Sequence, residues 1–171
     1  MDLNLTQRRF YVMGENTFTI ANKIMKNQRI CRLLKYQTKS PFAESCNGKD
    51  QPDVDGAELI NKQILIVPKI YDDSTEKMSY ITAIFDNFTV SQLNPEFKIS
   101  TIRFDVACPY DEWLLNEHSL RPYLLMQELD MMFNGSKLAG IGNLQFVKAD
   151  NLVLTPLMGG YSMIYKIHEF N

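Results

Sequence analysis

The strongest constraint on this chain is a period of two. In "YSMIYKIHEF", Tyr161, Met163, Tyr165 and Ile167 alternate with Ser162, Lys166 and His168. That is the pattern of a strand with one buried face and one wet face. "SYITAIFDNFTV" (79–90) and "FKISTIRFDVAC" (97–108) are longer strands, and the "SQLNPE" between them, with its Asn94-Pro95 turn chemistry, predicts a hairpin. In the second of them Phe97 and Ile99 fall on one face and Ile102, Phe104 and Val106 on the other. This slip of phase predicts a bulge near Ser100-Thr101. "QILIVPKIY" reads as a short buried strand whose Pro68 marks an edge or a bulge, and "NLQFVKA" (143–149) reads as the strand before the last.

A sheet with one apolar face needs a cover, and two stretches with helical period supply it. From Thr17 to Tyr36, with Asn16 or Thr17 as the expected cap, Ile20, Ile24, Cys31 and Leu34 share a narrow arc. Lys26, Arg29 and Arg32 fall opposite, and Lys23 and Lys35 flank the apolar stripe. A second helix, with Ser119 as cap and Pro122 in its first turn, lines up Leu125, Met126, Leu129, Met132 and Phe133. The order α-β-β-β-α-β-β predicts a single α+β domain over residues 1–171, an antiparallel sheet with two helices packed on it. Residues 37–59, rich in Ser, Pro, Asp, Asn and Gly, predict a long projecting loop. Loops of that length are commonly functional or ordered by a partner. Pro41, Phe42, Asp53 and Asp55 are its candidate inter-subunit residues.

Composition narrows the class. With 45% apolar and 22% charged residues the chain is neither disordered nor fibrous. The start "MDLNLTQRRFYVMG" does not read as a signal peptide, and the longest apolar runs are too short to span a bilayer. Cys31, Cys46 and Cys108 are odd in number and lack ligand spacing, which predicts free thiols in a reducing cytoplasm. The first forty residues hold Arg8, Arg9, Lys23, Lys26, Arg29, Arg32, Lys35 and Lys39 against Asp2 and Glu15. That segment therefore stands at +6, and with the whole chain at −2 the rest stands at −8. Opposite charges in two regions favour contact with copies of itself or with charged partners.

No stretch of the sequence assembles a reactive constellation. In "FNGSKLAGIGNLQF", Gly135 and Gly140 have the spacing of a phosphate loop, but Ile141-Gly142 stands where Lys-Ser/Thr is needed. The stretch follows a helix and opens a strand, the reverse of a phosphate loop, so it reads as a turn with Asn134-Gly135 as helix stop. Asp53, Asp55 and Gly56 imitate half a calcium loop, but Gln51 and Lys62 occupy the first and closing ligand positions. His118 and His168 have no partners at ligand spacing, and Asp72-Asp73 and Asp111-Glu112 are adjacent pairs of the kind solvated loops carry. The expectation is no enzyme, no cofactor and no metal.

Three segments together carry a family resemblance: "RICRLLKYQTKSP", "DNFTVSQLNPEFKISTIRFDVACPYDEW" and "LRPYLLMQELDMMFNGSKLAGIGNLQFVKADNLVL…GGYSMIYKIHEF". They resemble small bacteriophage neck and tail proteins of the head–tail connector or tail-terminator-like family. The resemblance implies a non-enzymatic structural protein of the virion, made in the bacterial host cytoplasm. It implies closed rings, hexamers or dodecamers, between portal or connector and tail proteins, around the path of the genomic DNA and with no membrane partner. Lys23, Lys26, Arg29, Arg32 and Lys35 are then candidates for an interface or for a DNA-facing surface. The alternative is a small nucleic-acid-binding or packaging accessory protein using that basic helix face, with binding that weakens steeply in salt.

Overall fold

The computed structural model of the chain describes residues 9–42, 44–45, 49–69, 77–90, 98–116, 118–138 and 142–168. Cys46, Asp72-Asp73, the "SQLNPE" connection, Phe97 and Gly140 lie outside the described residues. The fold is α+β, with helices packed on a six-stranded sheet.

The expected first helix is two helices. α1 (Arg9–Met25) begins well before Asn16, and α2 spans Gln28–Lys35. Thr17 does not cap because its hydroxyl donates to the Met13 carbonyl one turn back, inside the helix, at 2.8 Å. The break falls at Asn27, which is extended (φ −85°, ψ 103°) and accepts from the Arg29 and Ile30 amides. An Asn offers its side chain to the open amides of a new helix more readily than it continues an old one. Ile20, Ile24, Cys31 and Leu34 are nonetheless all buried, as their common arc predicts.

The sheet order is β3-β4-β5-β8-β7-β6, with β3 (Ile64–Leu65), β4 (Tyr80–Val90), β5 (Lys98–Pro109), β6 (Lys137–Leu138), β7 (Gly142–Thr155) and β8 (Met158–His168). A separate two-stranded ribbon joins β1 (Glu44–Ser45) to β2 (Lys49–Asp50). All pairs in the large sheet are antiparallel except β3 with β4, which is parallel. "QILIVPKIY" thus yields only two paired residues at one edge, and Pro68 lies past them. The bulge falls at the expected place, but on the neighbouring strand. Asp86 pairs Thr101 and Phe88 pairs Ser100, so the extra residue is Asn87 of β4. β5 itself runs in unbroken register with β8 from Ser100 to Pro109.

The third helix, α3, spans Arg121–Phe133 with Pro122 in its first turn. Leu120, not Ser119, stands at its cap position and gives no side-chain bond; the Ser119 carbonyl instead accepts from Leu115. Leu125, Leu129 and Phe133 are fully buried, and Met126 and Met132 flank them. The core lies between the helices and one sheet face: Ile81 and Ala83 of β4, Ile102, Phe104 and Val106 of β5, Met163, Tyr165 and Ile167 of β8. Phe104 stacks on Phe133 (centroids 4.9 Å) and meets Tyr165 edge-on (5.6 Å). The glycine stretch is a turn. Gly135 takes φ +69° after α3, and the chain then enters β6 and β7.

Candidate functional site

The basic residues singled out by charge are mostly occupied within the chain. Lys23 donates to the Met132 carbonyl at 2.8 Å and lies over the Phe133 ring. Arg29 pairs with Glu128 of α3 at 2.5 Å and stacks over Phe42. Arg32 pairs with Asp53 at 2.8 Å and Lys35 with Glu58 at 3.5 Å. Only Lys26 of the five is exposed with no ion pair among the described residues.

The loop expected to project folds back instead over its described second half. Val54 and Leu59 are buried, Gln28 exchanges hydrogen bonds with Val54, and Tyr36 donates to the Pro52 carbonyl. Gly56 is needed there because a Cβ would overlap the Met25 carbonyl oxygen. Asp53 serves Arg32, while Asp55 caps the single 3-10 turn Gly56–Leu59 through the Ala57 amide. Pro41 is buried and Phe42 packs on the core. The segment returns because its carboxylates find the basic side of α2 and its apolar residues find the ends of α1 and α2. Among the described residues no group of His, Cys, Asp and Glu could hold a metal ion. Among them, too, no helix is long and apolar enough to cross a membrane.

Arg121 is the residue that sequence patterning missed. It is fully buried, and its guanidinium donates to the carbonyls of Glu112 (3.1 Å), Leu33, Tyr36 (3.0 Å) and Thr38 (2.6 Å). Three of these acceptors lie at or just past the end of α2, where helix carbonyls lack partners and a cation is favoured. Gln63, also buried, donates to the Leu34 carbonyl beside them. Burial pushes Arg121 below its usual value and the nearby Glu112 above its own, with each charge opposing the other's shift. This is scaffolding chemistry, and it fixes α2 to the start of α3.

Among the described residues, two apolar surfaces stand open. The first is a row of rings: Tyr110 to Trp113 (5.2 Å), Trp113 to Tyr161 (6.2 Å), Tyr161 to Tyr123 (5.2 Å). The Tyr123 and Tyr161 hydroxyls share a hydrogen bond of 2.9 Å. The row runs into a groove of about 340 Å³ between α3 and β7, lined by Tyr123, Met126, Gln127, Asp130, Phe146 and Met163. Asp130, the one charge among the described lining residues, accepts from the Tyr165 hydroxyl. The second surface is the outer side of α1, where Tyr11 is 68% and Phe18 58% exposed. Between them lies Gly14, where an added Cβ would meet nothing.

The YomW family model matches residues 27–167, from the Asn27 cap to the end of β8. The chain belongs to the YomW family. That family is phage-derived, of the Bacillus phage SPbeta-like kind, which points to a bacteriophage origin for the chain. The match takes in α2, the folded-back loop and the whole sheet, and leaves out α1. No curated protein matches the chain.

Proposed function

We propose that this chain is a structural protein of the phage particle, one of several copies that close a ring in the neck or tail, between portal and tail and around the DNA path. It acts without catalysis or cofactor. The observation that carries the reading is a pair of unlike apolar surfaces on two different helices of one sheet. α1, with Tyr11 and Phe18 outward, packs on β3 and β4, whereas α3 lies across β5, β8 and β7, with the groove on its β7 side and the ring row running back to the end of β5. Two unlike surfaces that meet between copies make head-to-tail contacts, which close into rings when the rotation between copies allows. Aromatic and Met side chains at the centre of such a contact carry most of its binding. Membership of a phage-derived family supports the setting. The alternative, a nucleic-acid accessory protein, draws a single unpaired lysine from the face it needs.

Electron microscopy of particles from the encoding phage, with the protein located by antibody, tests the reading. Label at the head–tail junction in a ring of fixed copy number is the expected result. Particles without the protein would overturn it.

A further inference from the structure

β7 has an edge that the described residues finish only in part. On the side away from β8, the Leu144 amide donates to the Ser136 carbonyl (3.1 Å) and the Leu144 carbonyl accepts from Gly135 (2.8 Å). The Phe146 amide donates to the Asn134 side chain at 3.1 Å. β6 pairs only with Gly142 and Asn143. Beyond Phe146 no described residue pairs with that edge. The register with β8 is irregular at Val147 and at Leu154, and between them Lys148–Val153 is a regular strand. Alternate residues of such a strand turn both amide and carbonyl outward. Val147 and Val153, at its two ends, are 52% and 70% exposed. A regular, exposed strand edge is a template for another strand.

We infer that this edge joins two copies of the chain, β7 against β7, antiparallel about a two-fold axis through Ala149. The side-chain pattern selects both occupant and register. Lys148 and Asp150 stand on one sheet face, opposite Ile164 and Ser162 of β8, and Ala149 and Asn151 stand on the other. An axis that keeps like faces together must pass through a residue. Centred on Asp150 it sets two carboxylates against each other, and centred on Asn151 it sets Asp150 against Leu152. Centred on Ala149 it sets Lys148 against Asp150 of the partner subunit, twice, with the smallest side chain on the axis. Opposite charges facing across strands stabilise the pair, and like charges destabilise it. Lysine on an edge ordinarily deters strangers; here it selects a strand that carries an acid two residues along. In the free chain Lys148 and Asp150 pair with each other at 2.7 Å, so their charges already lie together on that face. The contact closes after two copies, and any assembly built on it contains an even number.

Sedimentation velocity of the full chain over a wide concentration range tests this. A reversible dimer is expected. Lys148→Asp should weaken it at least tenfold, and Lys148→Asp combined with Asp150→Lys should restore it to within about threefold, since the swapped charges still face one another. Ala149→Pro, which removes an amide and bends the strand, should leave monomer. Should that variant fold poorly by circular dichroism, the charge series decides, because both side chains are more than half exposed. A chain that stays monomeric throughout, or a dimer indifferent to Lys148→Asp, would overturn the inference. So would a double swap that fails to restore it. None of these outcomes touches the ring reading, which stands or falls on particles.

Discussion

At the scale of single residues, the side chain with most consequence is Arg121. Its planar fork reaches carbonyls at Leu33, Tyr36 and Thr38 on one side and at Glu112 on the other. Arg121→Met would strand these acceptors in the interior, at a cost of about 3–5 kcal/mol. Arg121→Lys keeps the charge but cannot copy the fork, so urea denaturation should show a lowered midpoint for both, lower for Met. An unchanged midpoint for Lys would refute the role of the geometry. The buried thiols and Tyr80 give a second expectation. Burial raises Cys31 to about 11, Cys108 to about 12 and Tyr80 to about 12. In each case the fold favours the protonated form, and the unfolded chain loses these protons first, from about pH 9 for thiols and pH 10 for tyrosine. Their contribution is therefore complete below about pH 9 and is lost as pH rises toward 12. Urea midpoints should be level from pH 7 to 9 and fall above it, with neither thiol alkylated at pH 8 until the chain is unfolded. Rapid labelling of Cys108 in the folded protein would contradict its burial.

At the scale of elements, the sequence was most legible where one pattern had one cause. Tyr165 and Ile167 in β8, and Leu125, Leu129 and Phe133 in α3, are buried as their periods predict. It was least legible where tertiary contacts chose between local options. Asn27 continues a helical arc by position but breaks the helix because its side chain serves as a cap. The stretch after Ala149 lacks a clean alternation, yet β7 runs on to Thr155 because β8 pairs with it throughout. The loop 37–59 has the composition of a free arm, and only the partners of Arg32, Lys35 and Gln28 reveal that it returns. Of the candidate site, its charged members were legible as residues, but their mutual pairing was not, since nothing in a one-dimensional pattern sets Asp53 beside Arg32. Gly56 tests the returned loop. Gly56→Ala drives a methyl into the Met25 carbonyl, a clash between backbones that cannot be relieved by a rotamer change. It should cost about 1–3 kcal/mol and make residues 51–59 markedly more sensitive to limited proteolysis. Equal cleavage rates in the two proteins would mean that the loop is not held there.

At the scale of the whole molecule, the charge asymmetry of the sequence is largely cancelled where it looked strongest. Five cations on one face would release counterions together and give a salt dependence of DNA binding with a slope of roughly −4 to −5 on logarithmic axes. Internal pairing leaves Lys26 from that set, so the face should contribute a slope of only about −1. The contributions separate by neutralising one residue at a time. Lys26→Gln should make the measured slope shallower by about one unit, with unfolding unaffected because the side chain is exposed. Arg32→Gln should leave the slope alone and lower stability slightly, since its charge is spent on Asp53 and exposed pairs are worth little. Arg29→Glu would set a carboxylate against Glu128, which is largely buried, and should destabilise the contact between α2 and α3 before it alters any contact with DNA. Binding lost in step with folding at Arg29, but with folding intact only at Lys26, is the signature of a scaffold charge layout. Equal slope changes at Lys26, Arg29 and Arg32 with folding unchanged would show that Arg29 and Arg32 leave Glu128 and Asp53 for phosphate, and would return the weight to nucleic-acid binding.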